Sequence, residues 1–392
     1  MTQESAIDLH DQLSRYDIYA EETPEIGDEL LAYARSQCPV PHCSTNGGYY
    51  LVSRYDDVRA VLTNDAVFSS TGGKSLPAHQ TLVMPPIDVD PPEHRSYRRL
   101  LNSYFSRTGI ADSEPAIRRI ARGLIEAFID QAIVDINTEY ATPLTSGTLC
   151  EVILSLDDDG LQQKAVRLVE AVGSNTADSW GNLTDFLADL LASHRPSSRG
   201  NVLDAIVGGE IDGRPLTADE RLGVVTVLFL GGLDTTRAAI TSIVRHMVAD
   251  PSLEARLRNP AWVNRDLDEF LRMDSVVSAL ARTVTTPTEL GGTKLSPGDR
   301  VLVHYYSANH DEEQFPTADQ LDFDRGRNPH VAFGLGVHRC LGSNLARMQI
   351  AIAFDELLAR VENIRGAGGD QRTTPGVSRM PREMPIHFDR RS

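Results

Sequence analysis

The chain has 392 residues, of which 41% are hydrophobic, so it is long enough to bury a large core in one large domain or two ordinary ones. Its formal net charge of −17 argues against nucleic acid or an anionic membrane as the main partner. Four cysteines in a chain of this length do not make a disulfide scaffold.

The first residues, MTQESAIDLH, carry acidic side chains where a signal peptide would carry a basic region and then an apolar one. The most apolar stretch, residues 222–233, is shorter than the roughly 20 residues that a membrane-spanning helix needs. We therefore expect a cytoplasmic protein without a membrane anchor. The CPVPHC segment at residues 38–43 could suggest zinc, but its two prolines and the lack of a second ligand pair favour a structural turn.

The hydrophobic pattern predicts a mainly α fold with a minor β region and a strand-rich opening. A strand is predicted at residues 49–52, followed by a short helix and a long loop, residues 68–90, of the kind that is often functional. Further helices are predicted at about 93–105, 117–132, 145–156, 161–172 and 183–191. With no repeat or clear linker, residues 1–392 are interpreted as a single domain.

The clearest helix start is at Thr217 and Glu220, which have the spacing of a capping box before an apolar run. This signal predicts a long helix over about 218–248, ended by Asp250 and Pro251. Two strand-like runs with glycine-containing turns follow at residues 289–306, and another helix begins after residue 342.

Residues 333–342 read FGLGVHRCLG and place Cys340 where a glycine-rich loop meets the start of a predicted helix. The free N–H groups and the dipole at a helix start stabilise a thiolate. The glycines allow close approach of something flat or bulky, and His338 and Arg339 bring donors for anions. A large planar cofactor with acidic groups would use all of these features, although a lone cysteine is more often a buried structural residue.

The same stretch resembles the haem-binding loop of the cytochrome P450 superfamily, Phe-Gly-x-Gly-x-His-x-Cys-x-Gly, at every defined position. The resemblance implies a cytochrome P450 fold with haem b as cofactor and Cys340 as the thiolate ligand of the haem iron. Phe333 and Gly334 would lie against the haem, and His338 would hydrogen-bond a propionate. The haem would then be sandwiched between the long helix and residues 333–342.

A second motif, FLGGLDTTR at residues 229–237, interrupts the apolar run of the long helix. Gly231 and Gly232 should each cost roughly 1 kcal/mol relative to alanine in a helix interior. Either something approaches this backbone or the helix opens locally, and a crossing of packed helices at small residues is an equally compatible interpretation. The pattern resembles the oxygen-binding segment of the same superfamily, which implies that Thr235 hydrogen-bonds dioxygen and Asp234 helps to relay protons.

Three further matches to the superfamily lie outside these two motifs. Glu269 and Arg272 resemble its Glu-x-x-Arg pair, a structural ion pair, although the proline that follows in most members is missing here. His94 and Arg98 resemble its His-x-x-x-Arg pair, which binds haem propionates, and Arg282 matches an arginine that often joins them.

The resemblance implies a haem-thiolate monooxygenase that inserts one atom of O2 into a small or medium hydrophobic substrate of terpenoid or aromatic type. Electrons would come from NAD(P)H through a reductase and an acidic ferredoxin. Candidate docking contacts for the ferredoxin are Arg98, Arg99, Arg339 and Arg347. The candidate substrate pocket is formed by Leu82, Val83, Val227, Leu230, Gly231 and Val277.

Other functions of the same fold stay open at this point. A peroxide-driven peroxygenase would not need Thr235 or a ferredoxin, and a non-catalytic haem sensor would have no use for Asp234. A related nitric-oxide-reducing activity is a third alternative.

Overall fold

The fold is described by a computed structural model that covers residues 3–77, 82–156, 159–172, 176–196 and 200–391. Its α-helices are α1 (Gln3–Ser14), α2 (Thr23–Gln37), α3 (Tyr55–Thr63), α4 (Glu93–Phe105), α5 (Arg107–Ile110), α6 (Glu114–Phe128), α7 (Thr142–Gly147), α8 (Asp159–Val172), α9 (Ala177–Ser193), α10 (Val202–Gly208), α11 (Ala218–Ala249), α12 (Ser252–Leu257), α13 (Trp262–Arg265), α14 (Leu267–Asp274), α15 (Tyr305–Asn309) and α16 (Ser343–Leu358). Its strands are β1 (His42–Cys43), β2 (Tyr49–Val52), β3 (Phe68–Ser69), β4 (Val134–Asp135), β5 (Glu210–Ile211), β6 (Arg214–Pro215), β7 (Ala279–Val284), β8 (Thr288–Leu290), β9 (Thr293–Leu295), β10 (Arg300–His304), β11 (Val361–Gly366) and β12 (Pro385–Arg390).

This order of elements confirms a mainly α fold with a minor β region, but the predicted strand-rich opening is wrong. Two helices, α1 and α2, precede the first strand. Leu9 and Leu13 on α1, and Leu30 and Ala34 on α2, are spaced four residues apart, and they pack in one buried cluster. This helical spacing gives each helix one apolar face, and that face packs against the shared buried cluster.

The prediction of one helix over residues 145–156 is also wrong, because most of this segment is not α-helical. The chain is α-helical only over α7, and π-helical turns flank it at Ile136–Ala141 and Thr148–Ile153. Pro143 lies in the first turn of α7, where a proline is tolerated. The apolar spacing alone does not distinguish an α-helical ladder from a π-helical one.

The main sheet has five strands in the order β1-β2-β10-β7-β3, in which β2 and β10 are parallel and the other pairs are antiparallel. Alternate side chains point to opposite faces. Leu51 and Leu302 therefore pack with α1 and α2 in one cluster, while Val52 and Val303 pack with α3 in another. The sheet thus lies between two layers of helix, and the larger helical core forms a separate cluster around α11.

The long helix α11 runs unbroken over 32 residues and confirms the predicted start and end. Thr217 Oγ1 accepts from the N–H of Glu220, whose carboxylate accepts from the N–H of Thr217, so the capping box is complete. The helix is long and apolar enough to cross a membrane, but 67% of its most apolar 18-residue window is buried within the protein. The burial fits its position at the centre of the helical core.

A buried ion pair ties α14 to the irregular chain that follows α15. Arg272 donates to both carboxylate oxygens of Glu269, at 2.8 and 2.9 Å, and both side chains are almost fully buried. The Arg272 guanidinium also donates to three carbonyl oxygens, those of Asn309, Ala318 and Gln320. The pair therefore fixes the route of the chain ahead of the residue 333–342 loop.

We expect Arg272→Ala to lower the free energy of unfolding by about 3–5 kcal/mol, because it leaves three carbonyl oxygens without their donor and leaves the buried Glu269 carboxylate with only the longer ion pair to Arg325. The measurement is urea unfolding of the purified protein followed by circular dichroism. The matched control is Arg365→Ala, which breaks an exposed pair with Asp389 and should cost at most about 1 kcal/mol. Equal losses in the two variants would contradict the structural role of the buried pair.

Candidate active site

Cys340 lies at the end of a tightly folded loop that leads into α16. Its N–H donates to the carbonyl oxygen of Phe333 at 2.8 Å, which closes the loop on itself. Gly334 and Gly336 have φ values of 63° and 65°, in the left-handed region that favours glycine. A Cβ atom on Gly336 would clash with the carbonyl oxygen of Leu62, so the loop can pack on α3 only with glycine at this position.

The Cys340 side chain is exposed, yet the protein around the sulfur desolvates the thiol. This combination is expected for a sulfur that faces an internal space. Burial is the largest effect and raises the pKa of the thiol above its usual value, while the N–H groups of Gly342 and Ser343 and the cations of Arg98 and Arg339 offset part of that rise. The sulfur therefore lies among groups that favour its anionic form at the start of a helix.

The helix α11 has one open face in its otherwise buried central part. Gly231 is exposed, and Val227, Leu230, Asp234 and Thr235 are partly exposed, at spacings of three and four residues. A Cβ atom on Gly231 would meet no protein atom within 4 Å, whereas one on Gly232 would contact Leu149 at 3.2 Å. The helix therefore does not open at the two glycines: Gly232 packs against a neighbour, and Gly231 faces free space.

Asp234 and Thr235 lie side by side on this open face. The Thr235 hydroxyl donates to the carbonyl oxygen of Gly231 at 2.8 Å. The Asp234 carboxylate accepts from Arg237 at 2.5 Å, and the same guanidinium reaches Glu170 on α8 at 2.6 Å. Arg237 is buried, so it connects the carboxylate on the open face to a half-exposed one on the neighbouring helix.

Sequence reasoning missed this partner of Asp234. Arg237 directly follows the GGLDTT motif, and its i, i+3 spacing from Asp234 is the only signal for the pairing in the sequence. Its contact with Glu170 depends on how α8 packs against α11.

The structure brings His94, Arg98, Arg282 and His338 together from three distant segments beside the loop of Cys340. The rings of His94 and His338 lie 4.4 Å apart between centroids. Arg98 donates to the carbonyl oxygen of Arg339 at 3.0 Å, and Arg282 donates to that of Ala281 at 2.8 Å. His338 is also within 3.0 Å of the Ser70 hydroxyl, a contact that the sequence did not predict.

Both histidines of this cluster are held neutral. Burial, helped by the Arg98 cation, lowers the pKa of His94 to about 4. Burial and the Arg282 cation lower the pKa of His338 to about 3. Neutral imidazoles beside two arginines form a group of donors suited to an anion.

The remaining predicted residues lie in separate environments. Leu82 is partly exposed and Val83 is 57% exposed, next to residues 78–81, which are outside the described part of the chain. Val277 forms a β-bridge with Ser378.

The candidate docking residues differ in their partners. Arg99 pairs with Asp212. Arg347 pairs with Asp268, and its guanidinium lies 5.1 Å from the centre of the Phe333 ring. Arg339 is exposed.

Comparison with known proteins identifies the family. The profile of the family described as Cytochrome P450 matches residues 262–376. Cytochrome P450 109 of Bacillus spizizenii is 30% identical over 84% of this chain and 85% of its own length. The chain belongs to the cytochrome P450 family. Linalool 8-monooxygenase of Pseudomonas putida is also 30% identical to this P450, over 89% of the chain and 92% of the relative.

The fold of this P450 agrees with that family. The solved structure of cytochrome P450 CYP109Q5 from Chondromyces apiculatus aligns with a TM-score of 0.85 at 26% identity, over 97% of this chain and 100% of the other. The protein is thus a cytochrome P450 monooxygenase, and its cofactor is haem b with thiolate-ligated iron.

The residues of the candidate site fit a haem. Both ring nitrogens of His94 are buried without a hydrogen-bond partner in the described part of the chain. Asp88 is near enough to attract Arg282, but within the described ranges neither Arg282 nor Arg98 forms a salt bridge with a carboxylate. Two propionates would supply the missing acceptors and negative charge.

We expect Gly336→Ala to abolish haem incorporation, because the methyl group would clash with Leu62 and displace the loop that carries Cys340. Gly326→Ala is the matched control, since it lies outside the cysteine loop and a Cβ atom there would meet no protein atom within 4 Å. The measurement is the ratio of haem to protein absorbance after purification from haem-supplemented cultures. Full haem content in Gly336→Ala would contradict this account of the loop.

Proposed function

We propose that Cys340 is the thiolate ligand of the haem iron and that His94, Arg98, Arg282 and His338 hold the propionates of the same haem. The observation that carries this proposal is the cluster of two arginines and two neutral histidines, without a salt-bridged carboxylate in the described ranges, beside an accessible sulfur. Phe333 and Gly334 then form the surface of the loop against which the haem rests.

The bound haem supplies the activation of O2 and the transfer of one oxygen atom to the substrate. Around it, the chain orients the substrate and moves protons. The Gly342 and Ser343 N–H groups and the Arg98 cation stabilise the anionic Cys340 sulfur. The open space at Gly231 leaves room for a small molecule against the helix backbone.

Thr235 and Asp234 are proposed to deliver protons to the open face of α11, where a bound haem would supply the oxidising chemistry. The Thr235 hydroxyl donates to the carbonyl oxygen of Gly231, and by rotating about χ1 it could instead donate to a molecule held at the open face of α11. Asp234 is next in the relay, and the ion pair with Arg237 holds its carboxylate in place. Arg237 also reaches the half-exposed Glu170, so the relay lies close to bulk water.

The substrate is proposed to be a small or medium hydrophobic molecule of terpenoid or aromatic type. The side chains on the open face of α11 above Asp234 are apolar, Val227 and Leu230, and Leu82, Val83 and Val277 add further apolar surface. The similarity to linalool 8-monooxygenase supports a terpenoid as the first class to screen.

Electrons are proposed to come from NAD(P)H through a reductase and an acidic ferredoxin in the cytoplasm. Arg339 is the best placed of the candidate contacts, because it is exposed and directly precedes Cys340 in the chain. Arg99 and Arg347 are engaged by Asp212 and Asp268, so they would contribute by exchanging partners.

The test is turnover with NADH, a ferredoxin and its reductase, on terpenoids that first shift the haem spectrum from low to high spin. We expect Thr235→Ala to lower product formed per NADH by about tenfold or more, with the electrons appearing as peroxide, because a positioned proton donor contributes roughly 10²–10⁴-fold. Product and peroxide are measured together.

Thr236→Ala is the matched control, because this neighbouring threonine is buried away from the open face and should leave the coupling unchanged. Unchanged coupling in Thr235→Ala would remove Thr235 from the relay. Turnover with hydrogen peroxide alone at the rate of the full electron chain would favour a peroxygenase instead.

A further inference from the structure

A short segment of the chain crosses the long helix so closely that only glycine fits beneath it. A Cβ atom on Gly223 of α11 would clash with the carbonyl oxygen of Val83 and would lie 2.9 Å from Cδ of Pro85. Real Cβ atoms essentially never come that close to a neighbouring heavy atom. The contact therefore joins the backbone of residues 82–86, here called the cover segment, to the backbone of α11.

The contact lies on the face of α11 that carries the candidate site. Gly223, Val227 and Gly231 are spaced by four residues, which places them along one side of the helix. With a rise of about 1.5 Å per residue, Gly223 is about 12 Å along the helix axis from Gly231. The cover segment thus crosses α11 about two turns from the free space at Gly231, along the same side of the helix.

The cover segment continues into a turn that is itself well held. The N–H of Met84 donates to the Asp88 carboxylate at 3.2 Å, and the N–H of Ile87 donates to the Met84 carbonyl oxygen at 3.0 Å. Met84, Pro85 and Pro86 are buried. Because these contacts hold the turn together, we expect a side chain on Gly223 to displace the cover segment as a unit.

We propose that Gly223 is a specificity-determining residue, because its lack of a side chain lets the cover segment close over the substrate space. The closed segment limits the size of the molecules that enter and slows their passage. This inference rests on the proposed function, since the space at Gly231 is the one assigned to the substrate.

The experiment uses the holoprotein and two probes that bind haem iron through nitrogen, imidazole and the larger 4-phenylimidazole. Their association rates are measured by stopped-flow absorbance in the wild type and in Gly223→Ala. We expect the rate for 4-phenylimidazole to rise about fivefold or more in the variant, because entry past a closed segment requires it to move. The rate for imidazole should change less, so the preference for the smaller probe should shrink.

Two further variants separate a local effect from a general one. Gly181→Ala on α9 adds a methyl group where no protein atom lies within 4 Å, and it should leave both rates unchanged. Pro85→Ala keeps Gly223 but removes the ring packed against it, and it should change the rates in the same direction as Gly223→Ala.

Unchanged rates in Gly223→Ala with full haem content would overturn the proposal. If that variant does not retain haem, Pro85→Ala decides, and unchanged rates there would overturn the proposal equally. Failure of the proposed function would instead appear in the wild type, as the lack of a thiolate signature in the spectrum of the reduced protein with carbon monoxide.

Discussion

The candidate site brings together two positively charged arginines that have no salt-bridged carboxylate in the described part of the chain. These arginines, Arg98 and Arg282, are brought beside His94 and His338 at an energetic cost that a bound anion would reduce. The neutral histidines add donors and acceptors without adding positive charge. A dianionic haem would satisfy this arrangement, so in the proposed assignment cofactor binding and the local fold support each other.

The surrounding fold keeps the Cys340 sulfur and the open face of α11 in fixed positions. The Glu269 and Arg272 pair holds the chain ahead of the cysteine loop through three carbonyl oxygens. On the other side, the capping box at Thr217 and Glu220 starts α11 at a defined residue. Glu220 also accepts from the Tyr97 hydroxyl at 2.8 Å, which ties the helix to α4, the element that carries His94 and Arg98.

Local signals account for what the sequence predicted well. The bounds of α4 agree with the prediction, and those of α11 agree to one residue, because apolar spacing and a capping box are properties of adjacent residues. The grouping of His94, Arg98, Arg282 and His338 followed from motif resemblance, and the structure places them together. The π-helical turns around α7, the link from Arg237 to Glu170 and the contact at Gly223 depend on packing between distant segments, which periodicity does not encode.

The central claim, that the sulfur of Cys340 binds the haem iron, is tested most directly by the absorption spectrum of the reduced protein under carbon monoxide. The account predicts the red-shifted band typical of thiolate ligation in the wild type. It predicts that Cys340→Ser loses this band while Cys38, Cys43 and Cys150 remain in place. A wild type without the band, or a Cys340→Ser variant that keeps it, would contradict the account.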